Sequence, residues 1–365
     1  MKQCFTLLLL AVSLCGFAQK PFDCTVNGQF KGLADGKIII RYTVNGSMKT
    51  DSVQASGDAF SYKLSLAEPT MVNITSKSGK SSMRFFAEEG TVTLSGDNTT
   101  LRKAVASGTP LNQDLQDLTN ATAAIDEKTE AFYQEYLKAK KSDKPISDDV
   151  MEKQMDDFDL AKKTILKQFV SQHPTSLVST LAIRENFIYQ PKYDELLSLY
   201  NTLQGKAKEG AYAKQIKDKL QIEEKLAIGK IAPNFTQNDS TGKAIALTSL
   251  RGKYVLVDFW ASWCGPCRRE NPNLVKTYEK NHPKGLEIIG VSLDNKREPW
   301  LKAIKQDNLT WQHVSDLQGW KNAVSSDYGI NSIPANLLLD PEGRIIAKDL
   351  RGQKLDDKLA ELFKQ

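Results

Sequence analysis

The sequence predicts a multidomain chain with three kinds of structure: an antiparallel, β-sandwich-like N-terminal domain, a central α-helical region and a C-terminal α/β domain. Three observations carry this. Short β-rich runs alternate with turn pairs from about residue 22 to 105. Apolar residues recur at three- and four-residue spacing, with few Gly or Pro, from about 111 to 227. From 229 onward, continuous apolar runs alternate with helical patterns. Boundaries follow these changes: a leader over 1–18, the β-rich domain over 19–107, the helical region over 108–228 and the α/β domain over 229–365. A chain of 365 residues has room for two or three domains.

The leader is a secretory signal in pattern. Met1-Lys2 supplies a basic start, Phe5 to Leu14 an apolar run too short to span a bilayer, and Gly16-Phe17-Ala18 small residues at cleavage-compatible positions. Cleavage after Ala18 is expected. The competing reading makes Cys15 the lipid-bearing first residue of a lipoprotein, but Leu14 stands where such signals want a small residue. Either way the protein is expected in the periplasm or cell envelope. Cleavage removes Cys4 and Cys15 and leaves Cys24, Cys264 and Cys267. Cys24, at a strand start, is expected to be a buried small residue.

In the β-rich domain, Cys24–Phe30, Lys37–Thr43, Phe60–Leu66, Met71–Thr75 and Thr91–Leu94 read as strands. Asn45-Gly46, Gly57-Asp58, Ser78-Gly79 and Gly96-Asp97 read as turns. No catalytic constellation is visible there, and a packing or docking module is expected. In the helical region, Leu111–Lys140, Ser147–His173 and Lys192–Leu226 carry the periodicity, punctuated by Pro145, Pro174 and Pro191. Their charged faces predict solvated helices. Tyr189, Tyr193 and Tyr200 are expected to pack rather than bind. The net charge of +5 is small and interspersed, which argues against a nucleic-acid surface. The last domain reads hairpin, strand, helix, strand, helix, strand, strand, helix. Gly285–Leu293 is a continuous apolar run of the kind a fully buried strand shows.

The chemistry concentrates at Trp263-Cys264-Gly265-Pro266-Cys267, between the apolar run Tyr254–Trp260 and a helical pattern from Arg268. Cys-x-x-Cys at a helix start places one sulfur near the positive end of the helix dipole, which favours its thiolate. Half a zinc site has the same spacing, but His173, His282 and His313 lack ligand spacing, so no metal is expected. An inert disulfide is a poor staple, since closing so short a loop removes little unfolded-chain entropy. Redox chemistry without a cofactor is the reading that remains.

Val257-Asp-Phe-Trp-Ala-Ser-Trp-Cys-Gly-Pro-Cys267 resembles the active-site segment of thioredoxins. With Gly229-Lys-Ile-Ala-Pro-Asn-Phe235, Leu247-Thr-Ser-Leu-Arg-Gly-Lys253 and Asn331-Ser-Ile-Pro-Ala335, residues 229–365 are similar to the secreted TlpA/ResA group. The β-rich domain resembles the uncharacterised domain found ahead of such modules in Bacteroidetes-type proteins. The resemblance implies a thioredoxin-like fold with a four- or five-stranded mixed sheet. It implies Cys264 as attacking thiolate and Cys267 as resolving thiol. Trp263, Gly265, Pro266, Ile333 and Pro334 would border the docked substrate, with Trp260 in the core. Pro334 matches the family's cis-proline, whose loop pairs with an extended partner strand.

Asp258 interrupts an apolar strand. It is either a strand-end carboxylate reaching water or, as the resemblance implies, a buried proton acceptor for Cys267 with a raised pKa. The implied activity is periplasmic thiol–disulfide exchange with protein thiol/disulfide substrates. Apocytochrome c is among these by analogy with the group. A Gly-Pro pair between the cysteines matches thioredoxin, at about −270 mV, rather than DsbA, at about −120 mV, and so favours a reductant. A reductant outside the cytoplasm implies a membrane-embedded electron donor. Two alternatives stand beside this. A peroxiredoxin-like thiol peroxidase would want a proline and a threonine ahead of the cysteine, where Trp260-Ala-Ser-Trp263 stands. A non-catalytic envelope binding protein would use the dithiol as a redox sensor. No feature of the sequence fixes an oligomeric state.

Overall fold

A computed structural model describes residues 20–44, 46–76, 81–142, 145–189 and 191–364. The expected leader, Cys4, Cys15 and the turns at Asn45 and Ser78-Gly79 lie outside the described residues. The chain divides into two compact units that meet between Val178 and Ser179.

The first unit opens with eight strands: β1 (Phe22–Lys31), β2 (Lys37–Val44), β3 (Ser47–Gln54), β4 (Ala59–Leu66), β5 (Thr70–Ser76), β6 (Ser82–Ala87), β7 (Gly90–Asp97) and β8 (Val105–Ser107). They form two four-stranded sheets, ordered β4-β1-β7-β8 and β3-β2-β5-β6. Alternate residues point inward, so Cys24, Val26 and Phe30 meet Ile38, Ile40, Val72 and Ile74 in one core. The antiparallel expectation holds for every pairing but one, because β1 and β7 run parallel. The polar strand β3 carries no apolar alternation and left no trace in the sequence pattern. Cys24 is fully buried, and burial pushes its thiol up, which makes it unreactive.

Two helices follow, α1 (Pro110–Ala139) and α2 (Asp148–Gln172). Asn112 ties the first turn of α1 to β6: its Oδ1 accepts from the Phe86 N–H at 2.9 Å and its Nδ2 donates to the Phe86 carbonyl at 2.8 Å. Ser147 caps α2 by accepting from the Val150 N–H.

The second unit contains α3 (Leu177–Asn186), which begins at the boundary, then α4 (Tyr193–Thr202), α5 (Gly210–Lys225), β9 (Thr236–Asn238), β10 (Ala244–Ala246), β11 (Tyr254–Trp260), α6 (Gly265–Asn281), β12 (Leu286–Ser292), α7 (Arg297–Gln306), β13 (Gln312–Val314), α8 (Ala323–Asp327), β14 (Ala335–Leu339), β15 (Ile345–Lys348) and α9 (Gly352–Leu362). The helical run predicted over 192–226 is broken in the middle. Leu203 leaves α4 in an extended conformation, Gly205 opens a short 3-10 turn at positive φ, and Glu209 is extended again before α5 begins at Gly210. The charged face of α5 is not wholly solvated: Glu223 is buried and pairs with Lys219 at 2.9 Å and Lys348 at 2.8 Å. Tyr189 is largely exposed rather than packed.

The sheet that carries the dithiol has five strands in the order β13-β12-β11-β14-β15; β11, β12, β13 and β15 run in one direction, and β14 runs antiparallel to both of its neighbours, β11 and β15. Strands β11 and β12 are buried almost throughout, which explains their unbroken apolar runs. Opposite Asp258 lie Gly290 on β12 and Asn336 on β14. Gly290 has a specific reason to be glycine. A Cβ there would overlap the His313 imidazole and crowd the Trp260 indole, which pack over it. Gly290→Ala is therefore expected to destabilise the fold by about 1–3 kcal/mol. A fall in the thermal midpoint of unfolding checks this, and an unchanged midpoint would show that the two rings can yield.

Candidate active site

Strand β11 ends at Trp260, and the chain turns through Ala261-Ser262-Trp263 into α6. Cys264 occupies the N-cap of that helix in an extended conformation, and its Sγ accepts from the Cys267 N–H at 3.2 Å. Pro266 fits the first turn, where a missing N–H is harmless. Cys264 and Cys267 are joined as a disulfide across a Cα–Cα separation of 5.3 Å. Both sulfurs lie at the positive end of a 17-residue helix, which stabilises a thiolate when the bond opens. Cys264 is 5% exposed and Cys267 2%, so Cys264 is the more accessible of the two. Trp260 is buried in the core, whereas Trp263, Gly265 and Pro266 face solvent around the bridge.

Two polar braces hold this turn, one of them an ion pair. Buried Asp294 accepts from the Ser262 N–H at 2.9 Å and from the Ser292 hydroxyl at 2.8 Å. Arg268 donates to Asp307 at 2.8 Å and to the Ser262 carbonyl at 3.1 Å, while Asn271 adds a bond to the same Asp307 carboxylate. Although burial opposes it, the Arg268 and Asn271 bonds hold Asp307 below the usual carboxylate range.

Asp258 lies within β11, hydrogen-bonded into the sheet on both sides and only 5% exposed, which removes the reading of a strand-end carboxylate that reaches water. Burial pushes its pKa up to about 7; the Arg351 guanidinium pulls it down and the Glu270 carboxylate pushes it further up. Both neighbours come from where the N-terminus of α9 meets α6. Glu270 accepts from the Gly352 N–H at 2.8 Å, and Arg351 donates to the Pro334 carbonyl. Asn336, opposite Asp258, bonds the Leu350 backbone through both ends of its amide, at 2.7 and 3.0 Å.

The Ile333–Pro334 peptide is cis. Pro334 immediately precedes Ala335, which pairs with Phe259, so the proline stands at the same end of the sheet as the dithiol. Among the described residues, neither the N–H nor the carbonyl of half-buried Ile333 is engaged in a hydrogen bond.

The structure thus draws the eight residues singled out in the sequence to one end of the sheet or the strand behind it. Glu270 and Arg351 were not foreseen. Glu270, three residues after Cys267, lay within reach of a helical-face argument; Arg351 carried no local signal. His313 sits between Trp260 and Trp311, and burial pushes its imidazole down to about 3, so it is uncharged. Among the described residues no group of His, Cys, Asp or Glu is placed to hold a metal ion, and no helix is long and apolar enough to cross a membrane. The arrangement can exchange a dithiol for a disulfide, with an acid that titrates near neutrality in the strand leading to it.

Comparison with known proteins agrees with this chemistry. Residues 228–348 match the AhpC/TSA family, and residues 24–115 match DUF4369, a domain of unknown function. The thiol-disulfide oxidoreductase ResA of Bacillus thuringiensis subsp. konkukian is 35% identical over 143 residues, 39% of this chain and 80% of that protein. ResA of Bacillus subtilis is 31% identical over 123 residues, 34% of this chain and 67% of that protein. Among solved structures, the thioredoxin domain of a thiol-disulfide oxidoreductase from Bacteroides vulgatus is 42% identical; the match covers 38% of this chain and 99% of that one, with a TM-score of 0.36. A thiol-disulfide oxidoreductase from Bacteroides fragilis is 38% identical over 36% of this chain and 99% of that one, with a TM-score of 0.35. A dithiol at the head of α6, a cis-proline at the same end of the sheet and 35% identity over 80% of a ResA protein together make the chain a member of the ResA-like thiol-disulfide oxidoreductases, built on an AhpC/TSA-type thioredoxin-like domain.

Proposed function

We propose that the protein is a reductant of the periplasm or cell envelope that passes electrons from a membrane-embedded donor to disulfides in exported proteins. The observation that carries this is the Cys264–Cys267 bridge at the N-terminus of α6. The Gly265-Pro266 pair supports the reducing direction, and the composition of residues 1–18 supports export.

In the reduced state the Cys264 thiolate attacks one sulfur of the substrate disulfide. A mixed disulfide forms, and the other substrate sulfur leaves as a thiolate and takes up a proton. Cys267 then loses its proton to Asp258 and attacks the Cys264 sulfur, which releases the second substrate thiol and closes the 264–267 bridge. Two electrons and two protons pass to the substrate, and the donor restores them. Asp258 suits its role because burial sets it near the pH at which it works. Ile333 offers its open N–H and carbonyl to an extended substrate segment, with Pro334 locked beside it by Arg351. Apocytochrome c, whose haem-binding cysteines must be reduced, is a fitting substrate class for this exchange.

With Cys267→Ser, the resolving attack is impossible, so envelope proteins should accumulate as mixed disulfides with Cys264; mass spectrometry of the non-reduced conjugates identifies them. Recovery of no conjugate that depends on Cys264 would overturn the assignment. Asp258→Asn should slow release of the reduced substrate by roughly 100-fold at neutral pH and abolish the rise in rate as pH passes through about 7. An unchanged pH profile would remove Asp258 from the mechanism.

The same group makes a separate prediction for stability. Because burial raises its pKa, the folded protein holds the Asp258 proton more tightly than the unfolded chain does. That contribution is complete below the ordinary carboxylate range and is lost as pH rises through about 7. Asp258→Asn should therefore be more stable than the wild type at pH 8, by roughly 2–4 kcal/mol, and equal to it near pH 4, as denaturant titrations at the two pH values will show.

A further inference from the structure

Two exposed indoles lie side by side next to the dithiol. Trp263, 52% exposed, immediately precedes Cys264. Trp320, 49% exposed, is carried by a short 3-10 turn, Gly319–Lys321, that leads to α8. Their ring centroids are 6.0 Å apart and the planes are inclined by 54°. Exposure of so much contiguous apolar surface is unfavourable for an isolated protein, and rigid aromatic side chains of this kind are what protein interfaces use as anchors.

Both turns are tied by hydrogen bonds, and one residue braces the pair. The carboxylate of Asp294 accepts from the Ser262 N–H at 2.9 Å, beside Trp263, and its main-chain carbonyl accepts from the Gly319 N–H at 3.4 Å, beside Trp320. On the far side of Trp320, Asp316 accepts from the Gln318 N–H at 3.0 Å, the Ala323 N–H at 2.9 Å and the fully buried Asn322 side chain at 2.9 Å. The turn that presents Trp320 is therefore fixed at both ends, and the two indoles are held together at the surface rather than resting there by chance.

What covers them follows from their place. A polypeptide joined through sulfur to Cys264 must carry the residues flanking its own cysteine past the side chain of Trp263. We propose that Trp320 is a specificity-determining residue of the exchange reaction. Together with Trp263 it forms a shelf that receives an aromatic or large aliphatic side chain adjacent to the reactive cysteine of a polypeptide substrate. This rests on Cys264 being the sulfur that joins the substrate.

The test uses the reduced full-length protein, its Trp320→Ala and Trp320→Phe variants, and three disulfides: a cyclic peptide with Phe beside the attacked cysteine, the same peptide with Ser there, and hydroxyethyl disulfide. Wild type should reduce the Phe peptide with a kcat/KM about tenfold above that of the Ser peptide, a size in keeping with one aromatic contact. Trp320→Ala should erase that preference through KM, Trp320→Phe should retain most of it, and all three proteins should reduce hydroxyethyl disulfide at rates within about twofold of one another. The proposal is overturned if wild type shows no preference, if Trp320→Ala keeps it, or if Trp320→Ala slows hydroxyethyl disulfide as much as the Phe peptide. Cys264→Ser should react with none of the three; if it does react, the assignment of Cys264 has failed, and the shelf with it.

Discussion

Strand β11 must be apolar, because it lies at the centre of a five-stranded sheet with neighbours on both edges and side chains buried on both faces. Asp258 breaks that requirement in the middle of the strand. Register locks it there between Gly290 and Asn336, so the carboxyl cannot swing out to water, and the cost of burying a charge appears instead as a raised pKa. The surroundings balance this rather than cancel it. Arg351 favours the ionised form, Glu270 opposes it, and the group is left near neutrality, where a proton can move in either direction.

The site is assembled around that strand from separate segments, each held by its own polar ties. The turn that carries Cys264 is braced by Asp294 and by Arg268 with Asp307; the start of α9 is tied by Asn336 and Glu270, and Arg351 reaches from it to the cis-proline. Such bracing fits a reaction in which three sulfurs must come into line, since geometry held in advance need not be organised during the reaction. It also isolates reactivity. Cys24, in the core of the first unit, is fully buried and raised in pKa by that burial, while Cys264 sits at a helix N-terminus and is 5% exposed.

The first unit shows a different limit. Its two sheets follow ordinary inside–outside alternation, and five of its eight strands are visible in the sequence for that reason. Strand β3 exposes nearly every residue and depends on β2 for its pairing alone, so hydropathy could not reveal it. The helices are shared between the units: α1 and α2 fold with the sheets, while α4 and α5 fold with the thioredoxin-like domain. Periodicity reports that a segment is helical but not which core its apolar face joins.

The sequence by itself determined the dithiol, its place at a strand-to-helix junction, the oddity of an acid at Asp258 and the proline at 334. These are local features: two cysteines, a cap and a first-turn proline fall within four consecutive residues, and a charge inside an apolar run is conspicuous wherever the run folds. Only the tertiary structure decided which charges face Asp258, that Trp320 joins Trp263, and that Asp294 links their turns. Those partners are remote in the chain and meet because β11 pairs with β12 and β14 in one particular register. A register is chosen by how all the side chains of a sheet pack at once, and no short stretch of sequence contains that information.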